Sequence, residues 1–290
     1  MALDSATNAT ELTAEQVSTV LVKPLEARST FLSSGVRIVD TAGPLRMPKM
    51  GGATEPQWHG QNEKITEVDP DFDEITLLPS TMKSVKTLTR FSNELARQSV
   101  AALDEALKAR LVKDVADTID AQLLSASGDG ITKPKGLFAY SGTQSVAVGG
   151  ELTLDHLIEA EGKALAADVN GDALKWVMTP REFTALRQVK DGSQRYQLQP
   201  DPTKAGGFTL FGHPVIVTNR VPDTTGASPT ARVGLVDFSQ IVVARDAAPS
   251  VKILDQTFGD FDQQAIRVVA RYDAAPLNPE AVIVLSGITV

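Results

Sequence analysis

The chain has 290 residues, 42% of them hydrophobic, no cysteine and a formal net charge of −8 at pH 7. This composition predicts a folded chain of one large or two small domains, and the lack of cysteine excludes disulfides and thiolate metal sites. The negative net charge argues against a protein that wraps nucleic acid through clustered Lys and Arg. No leader pattern and no membrane-spanning apolar run is evident, so we expect a cytosolic product.

Residues 1–45 are predicted to form an extended arm. Small polar residues dominate its start, and Pro24 should interrupt the short amphipathic helix suggested by Leu12, Val17, Val20, Leu21 and Leu25. Such a segment has no core of its own. We therefore expect it to pack on something else.

Residues 46–80 are predicted to form a long two-stranded excursion, because glycines and prolines break any longer element. Its acidic series is Glu63, Glu67, Asp69, Asp71, Asp73 and Glu74. A structureless insertion of this length is uncommon inside a compact domain unless it binds something. We therefore expect a neighbouring subunit to be its partner.

Residues 81–128 contain the clearest helix signal in the chain. Alternation over Val85–Phe91 predicts a strand, and Ser92 can cap the helix that follows. Apolar residues then recur at three- to four-residue spacing: Leu95, Val100, Leu103, Leu107, Leu111, Val115, Ile119 and Leu123. We expect this stripe to be core, on a helix of about 50 Å that stops at Gly128.

The segment Trp176–Pro222 predicts a compact series of short elements. They are a strand at Trp176–Met178, a helix from Pro180, a turn at Asp191–Gly192, and strands at Phe208–Phe211 and Val215–Thr218. Thr179 should supply the N-cap oxygen, and Pro180 suits the first helical position because its missing N–H costs nothing there. His213 is predicted to lie in a turn.

The end of the chain predicts two more strands. Gln264–Tyr272 alternates apolar residues with a mixed face, which is typical of a strand buried on one side. Ala281–Leu285 is continuously apolar, as in a strand covered on both faces. Pro276 and Pro279 exclude ladder pairing between the two runs.

No catalytic motif is evident in the sequence. It has no GxSxG, GxxxxGK[ST] or CxxC motif, no GxGxxG after a strand, and none of His59, His156 and His213 belongs to an HExxH motif. His156 and Glu159 lie one helical turn apart, but a solvated helix face explains that spacing better than a metal. We therefore expect no catalytic residue and no cofactor.

A calcium site is also excluded. Asp69, Asp71 and Asp73 imitate the opening of a calcium loop, but Glu74 replaces the required glycine. Ser80 occupies the position of the bidentate glutamate. We therefore expect no metal.

In chain order, these elements resemble those of tailed-phage major capsid proteins with the Hong Kong 97 type fold. The resemblance rests on Trp176–Pro222, on Asp237–Phe238 before an apolar strand, and on the closing ARYDAAPLNPEAVIVL at residues 270–285. It covers about Leu21 to Leu285 in the order of the family. Each motif is weak alone, and their common order carries the similarity.

The resemblance implies an α+β subunit with a defined domain organisation. Its parts are an N-terminal arm at 1–45, an E-loop at 46–80, a P-domain with a spine helix at 81–128, an A-domain at 129–240 and returning strands, mainly of the P-domain, at 241–290.

The resemblance also implies a function in assembly. Copies would form hexamers and pentamers that close into an icosahedral virion shell around double-stranded DNA, without sequence-specific or membrane binding. A separate scaffolding protein and a portal are the expected partners, with assembly in the host cytoplasm. One alternative is an encapsulin-like compartment, which would hold a cargo enzyme instead of DNA. Another is a soluble α+β hydrolase, which would need a converging acid, base and nucleophile.

Opposed charges predict where neighbouring subunits meet, since the acidic series is followed by basic residues. The inter-subunit candidates are Glu63, Lys64, Glu67, Asp69, Asp71, Asp73, Lys83, Lys86 and Arg90. Two solvated faces are the simpler alternative, because exposed ion pairs contribute only about 0–1 kcal/mol each.

A covalent shell is not expected, although some relatives join subunits through a Lys–Asn isopeptide bond promoted by a carboxylate. Lys64, Asn278 and Glu280 supply the residue types. The neighbours of Lys64 are mostly polar, however, and would not favour the desolvated, deprotonated amine that the reaction needs. Asn278 is equally well explained as a turn former.

Overall fold

The protein combines helices and β-sheets along one chain. The computed structural model describes residues 23–50, 58–62, 72–92, 94, 103–198, 208–224, 228–246, 250–254 and 259–289. Its helices are α1 (Lys23–Arg28), α2 (Leu103–Leu123), α3 (Leu154–Ala166) and α4 (Pro180–Arg187). Its strands are β1 (Arg37–Thr41), β2 (Leu45–Met50), β3 (Phe72–Leu77), β4 (Val85–Ser92), β5 (Gln144–Ala147), β6 (Leu174–Met178), β7 (Thr209–Leu210), β8 (His213–Val217), β9 (Thr230–Asp237), β10 (Ile241–Asp246), β11 (Ser250–Leu254), β12 (Gln263–Ala270), β13 (Tyr272–Pro276) and β14 (Val282–Thr289).

The first described residues pack on the rest of this chain. Helix α1 begins at Lys23 with Pro24 in its first turn, where proline is tolerated. Leu25 is buried, and β1 pairs in parallel with β10. The predicted interruption at Pro24 is therefore wrong for Leu25, because both residues lie in α1, while residues 1–22 lie outside the described part of the chain.

A buried carboxylate on α2 fixes the corner that follows α1. Asp120 accepts hydrogen bonds from the Ser29 hydroxyl and from the backbone amides of Thr30 (2.7 Å) and Phe31 (3.3 Å). Burial raises the pKa of Asp120, and these hydrogen bonds act in the opposite direction. The corner is thus held by directional polar contacts as well as by apolar packing.

Strands β2 and β3 form an antiparallel hairpin, so the predicted two-stranded excursion is confirmed at its base. Leu45 pairs with Leu77, and Met50 pairs with Phe72. The connecting segments 51–57 and 63–71 lie outside the described residues. The end of β3 packs against β10 and β13 in a small apolar cluster. Its members are Leu77, Leu78, Met82, Val242, Ala244 and Ala275.

The strand and helix predicted within residues 81–128 are both present. Exposure alternates along β4, and the Ser92 hydroxyl accepts a hydrogen bond from the Glu94 amide at 3.1 Å. Helix α2 is described over 21 residues, about 31 Å at 1.5 Å per residue. Residues 95–102 of the predicted 50 Å helix lie outside the described range.

The predicted stop of this helix at Gly128 is wrong, since α2 ends at Leu123. The Ser125 hydroxyl donates to the Gln122 carbonyl at 2.8 Å, which satisfies a terminal helix acceptor. Gly128 has another role. A Cβ there would lie 2.1 Å from the Pro134 carbonyl oxygen, so this glycine permits two backbone segments to approach closely.

The described part of the apolar stripe is core, as predicted. Its buried members are Leu111, Val115, Ile119 and Leu123, each 4% exposed or less. They pack in one cluster with residues of β10, β12 and β13. The side chains of Leu95, Val100, Leu103 and Leu107 lie outside the described residues.

A six-stranded sheet separates two apolar cores. Its strand order is β5-β14-β9-β6-β8-β7. On β14, Val282 and Val284 face the core that contains α2, whereas Ile283 and Leu285 face the core that contains α3 and α4. The prediction that this strand is covered on both faces is confirmed.

The segment around Trp176 folds largely as predicted, with two corrections. Thr179 lies at the N-cap of α4, but its side chain makes no capping hydrogen bond. The Thr179 carbonyl instead accepts from the Phe183 amide within the first helical turn. His213 begins β8 rather than forming a turn, because the two left-handed residues of this β7–β8 hairpin are Phe211 and Gly212.

The predicted strand Gln264–Tyr272 is two strands in different sheets. Strand β12 pairs with β4 and β11, and the chain then crosses at Arg271 to β13, which pairs with β10. The apolar alternation continues through this crossing because Ala270 and Tyr272 are buried in the same core. Periodicity therefore gave no sign of the break.

A truncation at Leu123 tests the phase of the stripe. Leu123→Ala should lower the free energy of unfolding by about 2–5 kcal/mol, since it removes a side chain that is 1% exposed and leaves a cavity. Leu165→Ala is the matched control, because Leu165 is also helical but 60% exposed. Thermal unfolding of the subunits provides the measurement. Equal melting temperatures for wild type and Leu123→Ala would contradict the placement.

Candidate assembly surfaces

One face of the β11-β12-β4 sheet is basic. The opposite face carries Val251, Ile266, Val268 and Ala270 toward the core. Alternation therefore turns Lys86, Leu88 and Arg90 of β4 outward. The three strands contain no Asp or Glu.

Strand pairing extends this basic face beyond the predicted residues. Leu88 pairs with Arg267 of β12, and Arg267 pairs with Lys252 of β11. The Arg267 Nε atom is buried and has no hydrogen-bond partner among the described residues. We call Lys86, Leu88, Arg90, Lys252 and Arg267 the basic sheet face. Sequence alternation placed Arg267 on a mixed strand face, but only the register places it beside Leu88 and Lys252.

Lys83 does not belong to the basic sheet face. It precedes β4, and its backbone amide donates to the Thr132 carbonyl at 2.9 Å. Together with Lys133 and Arg220, it lines a cleft beside α2. Arg220 forms an ion pair with Asp117 in this cleft. The structure therefore places Lys83 apart from Lys86 and Arg90, which lie on the basic sheet face.

Among the acidic candidates, Asp73 is the one within the described residues. Asp73 is on β3, where its backbone pairs with Lys49. Next to it, Glu74 lies 3.8 Å from Arg46 across the hairpin, as an exposed ion pair. The remaining acidic or E-loop candidates, Glu63, Lys64, Glu67, Asp69 and Asp71, lie outside the described residues.

Polar contacts hold the return of the hairpin to the body. The buried Asp273 carboxylate accepts hydrogen bonds from the backbone amides of Leu78 (2.9 Å) and Ala274 (3.0 Å). Arg271 Nη2 donates to the Pro79 carbonyl at 3.0 Å. Burial raises the pKa of Asp273 to about 6, while the two amides and the Arg271 charge act to lower it. No sequence pattern predicts this role for Arg271 and Asp273.

The histidines are separate from one another and have local surroundings. His156 Nδ1 accepts from the Thr153 amide at 3.3 Å and completes the capping box at the start of α3. His213 Nε2 lies 3.6 Å from Glu161 Oε1. Within the described residues, no group of three or more His, Asp and Glu side chains is arranged to hold a metal.

Asn278 has a structural contact of its own. Its side-chain oxygen accepts a hydrogen bond from the Glu280 amide at 3.1 Å, which caps a single 3-10 turn before β14. This is the turn-forming role that sequence analysis offered for Asn278. Lys64, its possible cross-linking partner, lies outside the described residues.

None of the described helices is long and apolar enough to span a membrane.

Comparison with known proteins gives one consistent class. The model of the phage capsid family matches residues 10–287. The major capsid protein of Klebsiella oxytoca phage phiKO2 is 20% identical, in an alignment that covers 94% of this chain and 67% of that protein.

Solved structures agree over most of the chain. The capsid of the native GTA particle has a TM-score of 0.72 and 18% identity, covering 90% of this chain and 91% of the other. The structure from Mycobacterium phage Adephagia has a TM-score of 0.68 and 17% identity, covering 90% of both chains.

The chain therefore belongs to the phage capsid family and has an α+β fold of the Hong Kong 97 type. The prediction of a tailed-phage major capsid protein is confirmed. Its place is the virion capsid.

Proposed function

We propose that copies of this chain assemble as hexamers and pentamers into an icosahedral shell that encloses double-stranded DNA. The family match over residues 10–287 is the observation that carries this proposal. A separate scaffolding protein and a portal take part, and assembly occurs in the host cytoplasm. Membership of a structural capsid family favours a non-enzymatic role over a hydrolase.

We also propose the predicted division into an arm at 1–45, an E-loop at 46–80, a P-domain at 81–128 with returning strands at 241–290, and an A-domain at 129–240. Pairing of β4 with β12 supports grouping the two P-domain segments, 81–128 and 241–290. Strand β14 lies in the sheet with β5 and β9, so the last segment contributes to both bodies.

The contact between neighbours is proposed to join the acidic hairpin segment of one subunit to the basic sheet face of the next. Residues 63–74 contain six carboxylates and one lysine, whereas the three strands of the basic face contain only cations among their charged residues. Each exposed pair contributes about 0–1 kcal/mol, so several must act together. Such pairs set register and weaken as salt increases.

Isolated particles test the proposed function directly. Negative-stain microscopy of purified protein, expressed with the scaffolding protein, should show closed shells of uniform diameter. Particles from infected cells should contain double-stranded DNA. Shells that hold a cargo enzyme and no DNA would favour the encapsulin-like alternative. A protein that stays monomeric under all of these conditions would contradict both kinds of shell.

Neutralising the hairpin carboxylates tests the proposed contact. Asp69→Asn, Asp71→Asn and Asp73→Asn together should lower shell yield at low salt and flatten its dependence on salt, because opposed charges attract most strongly there. Particle yield is measured by sedimentation across a salt series. The matched control replaces three exposed carboxylates elsewhere, Glu151→Gln, Asp155→Asn and Asp172→Asn, with the same change in net charge.

A charge exchange makes this test specific. Lys86→Glu with Arg90→Glu should also lower yield, and adding Asp69→Lys with Asp71→Lys to that variant should restore it. Wild-type yield from the neutralised variant at every salt concentration would refute the contact. Failure of the exchange to restore yield would show that the two surfaces do not meet.

The shell is proposed to be held by non-covalent contacts. Mature particles boiled in denaturant should run as a single band near the 30.9 kDa monomer on a gel. The capping contact of Asn278 gives this residue a structural role without a cross-link. A ladder of multimers that disappears in Lys64→Ala would contradict the proposal and assign Lys64, Asn278 and Glu280 to an autocatalytic site.

A further inference from the structure

The two strands of the β2–β3 hairpin, β2 as its first leg and β3 as its second, are anchored to the same small sheet in different ways. The first leg continues from β1, which pairs along its length with β10. The second leg ends at Leu78 and Pro79, beside β13, which pairs with the other edge of β10. The β1-β10-β13 sheet is therefore the platform from which the hairpin leaves the body.

The second leg turns sharply at an unusual residue. Leu78 has a φ of 50°, in the left-handed region that leucine rarely adopts. Its side chain is 3% exposed and packs in the apolar cluster, so a return of φ to negative values would take it out of this packing. A residue held in this region is maintained by the contacts around it.

Asp273 on β13 and Arg271, the residue just before β13, hold the backbone at this position. Asp273, itself 2% exposed, accepts the Leu78 amide, and Arg271 donates to the carbonyl of the next residue, Pro79. Arg271 also lies 3.8 Å from Asp246 at the end of β10. Two successive backbone groups of the turn are thus fixed by side chains about 190 residues away in sequence.

We propose that Arg271 and Asp273 form a latch that fixes the direction in which the β2–β3 hairpin leaves the subunit. Both are positioning residues, and they act through Leu78 and Pro79. The consequence for assembly rests on the proposed function, since the hairpin must reach a neighbouring subunit at one angle. The latch itself is a property of the single chain.

Apolar packing alone does not account for a fixed direction. The cluster of Leu77, Leu78, Met82, Val242, Ala244 and Ala275 attaches the root of the hairpin. Such packing has no preferred direction, whereas hydrogen bonds weaken steeply when their angles change. A cavity of about 240 Å³ also lies between the legs, lined by Thr41 to Pro44, by Leu78 and Ser80, and by Asp246 and Arg271. The root therefore has room to move when the polar contacts are lost.

Distance measurement between spin labels on the free subunit tests the latch. The chain has no cysteine, so Thr76→Cys at an exposed position of β3 and Asp172→Cys on the body give two unique labelling sites. Wild type should give one narrow distance distribution. Asp273→Asn and Arg271→Gln should each broaden or shift it, and hydrogen exchange at the Leu78 amide should become about tenfold faster.

Asp120→Asn is the matched control, because Asp120 is also 2% exposed and also accepts two backbone amides, but of Thr30 and Phe31. It should leave the label distances unchanged. Circular dichroism verifies that each variant is folded. If Asp273→Asn does not fold, Arg271→Gln carries the test, because the Arg271 side chain is partly exposed.

Wild-type distance distributions in both folded latch variants would overturn the proposal. Loss of folding in both would also overturn it, since a latch must be separable from the fold. Shell yield of the same variants is measured afterwards. If wild type forms no shells while the latch variants still broaden the distances, the proposed function fails and the latch stands.

Discussion

Burial of both faces of the six-stranded sheet is the constraint on which the rest of the structure depends. Strand β14 contributes alternate residues to two cores, with Val284 on one side and Leu285 on the other. Both cores bury apolar area when the sheet is covered, and each Å² of that area stabilises the fold by roughly 25 cal/mol. Helices α3 and α4 must therefore cover one face while α2 and the smaller sheets cover the other. The long helix and the basic sheet face are held in one fixed relation as a result.

The surfaces proposed for assembly lie on two smaller sheets, β2-β3 and β11-β12-β4, outside the six-stranded sheet. The basic sheet face is the outer side of a sheet whose inner side packs beside α2, so its cations are placed by the core beneath them. The hairpin continues from β1 of a smaller sheet, and its Met47 and Ile75 pack against the apolar cluster on β10 and β13. Weak, salt-sensitive charge pairs can select a partner only when both surfaces are presented at a defined angle. Buried polar contacts at the root supply that geometry.

Much of the fold could be predicted from sequence, because local patterns record burial. The stripe from Leu111 to Leu123 and the apolar run at Val282–Leu285 are both core. The errors have two origins. The crossing at Arg271 depends on which distant strands pair. The end of α2 and the missing Thr179 cap are differences of local detail, since Ser125 and Thr179 find their hydrogen-bond partners within one helical turn. Two of the four cations of the basic sheet face, Lys86 and Arg90, could also be predicted from the charge pattern. Arg267 and Lys252 needed the strand register.

The sequence by itself determined the alternation of strands, the apolar face of the long helix and the collinear motifs that identify the capsid family. These features are local, or ordered along the chain, so they are written in the residues without reference to pairing. Only the tertiary structure decided which strands share a sheet and which polar groups meet. Asp273 and Leu78 are 195 residues apart, and no periodicity relates them. Their hydrogen bond exists because two sheets and an apolar cluster fold them to the same point, where a buried amide requires an acceptor.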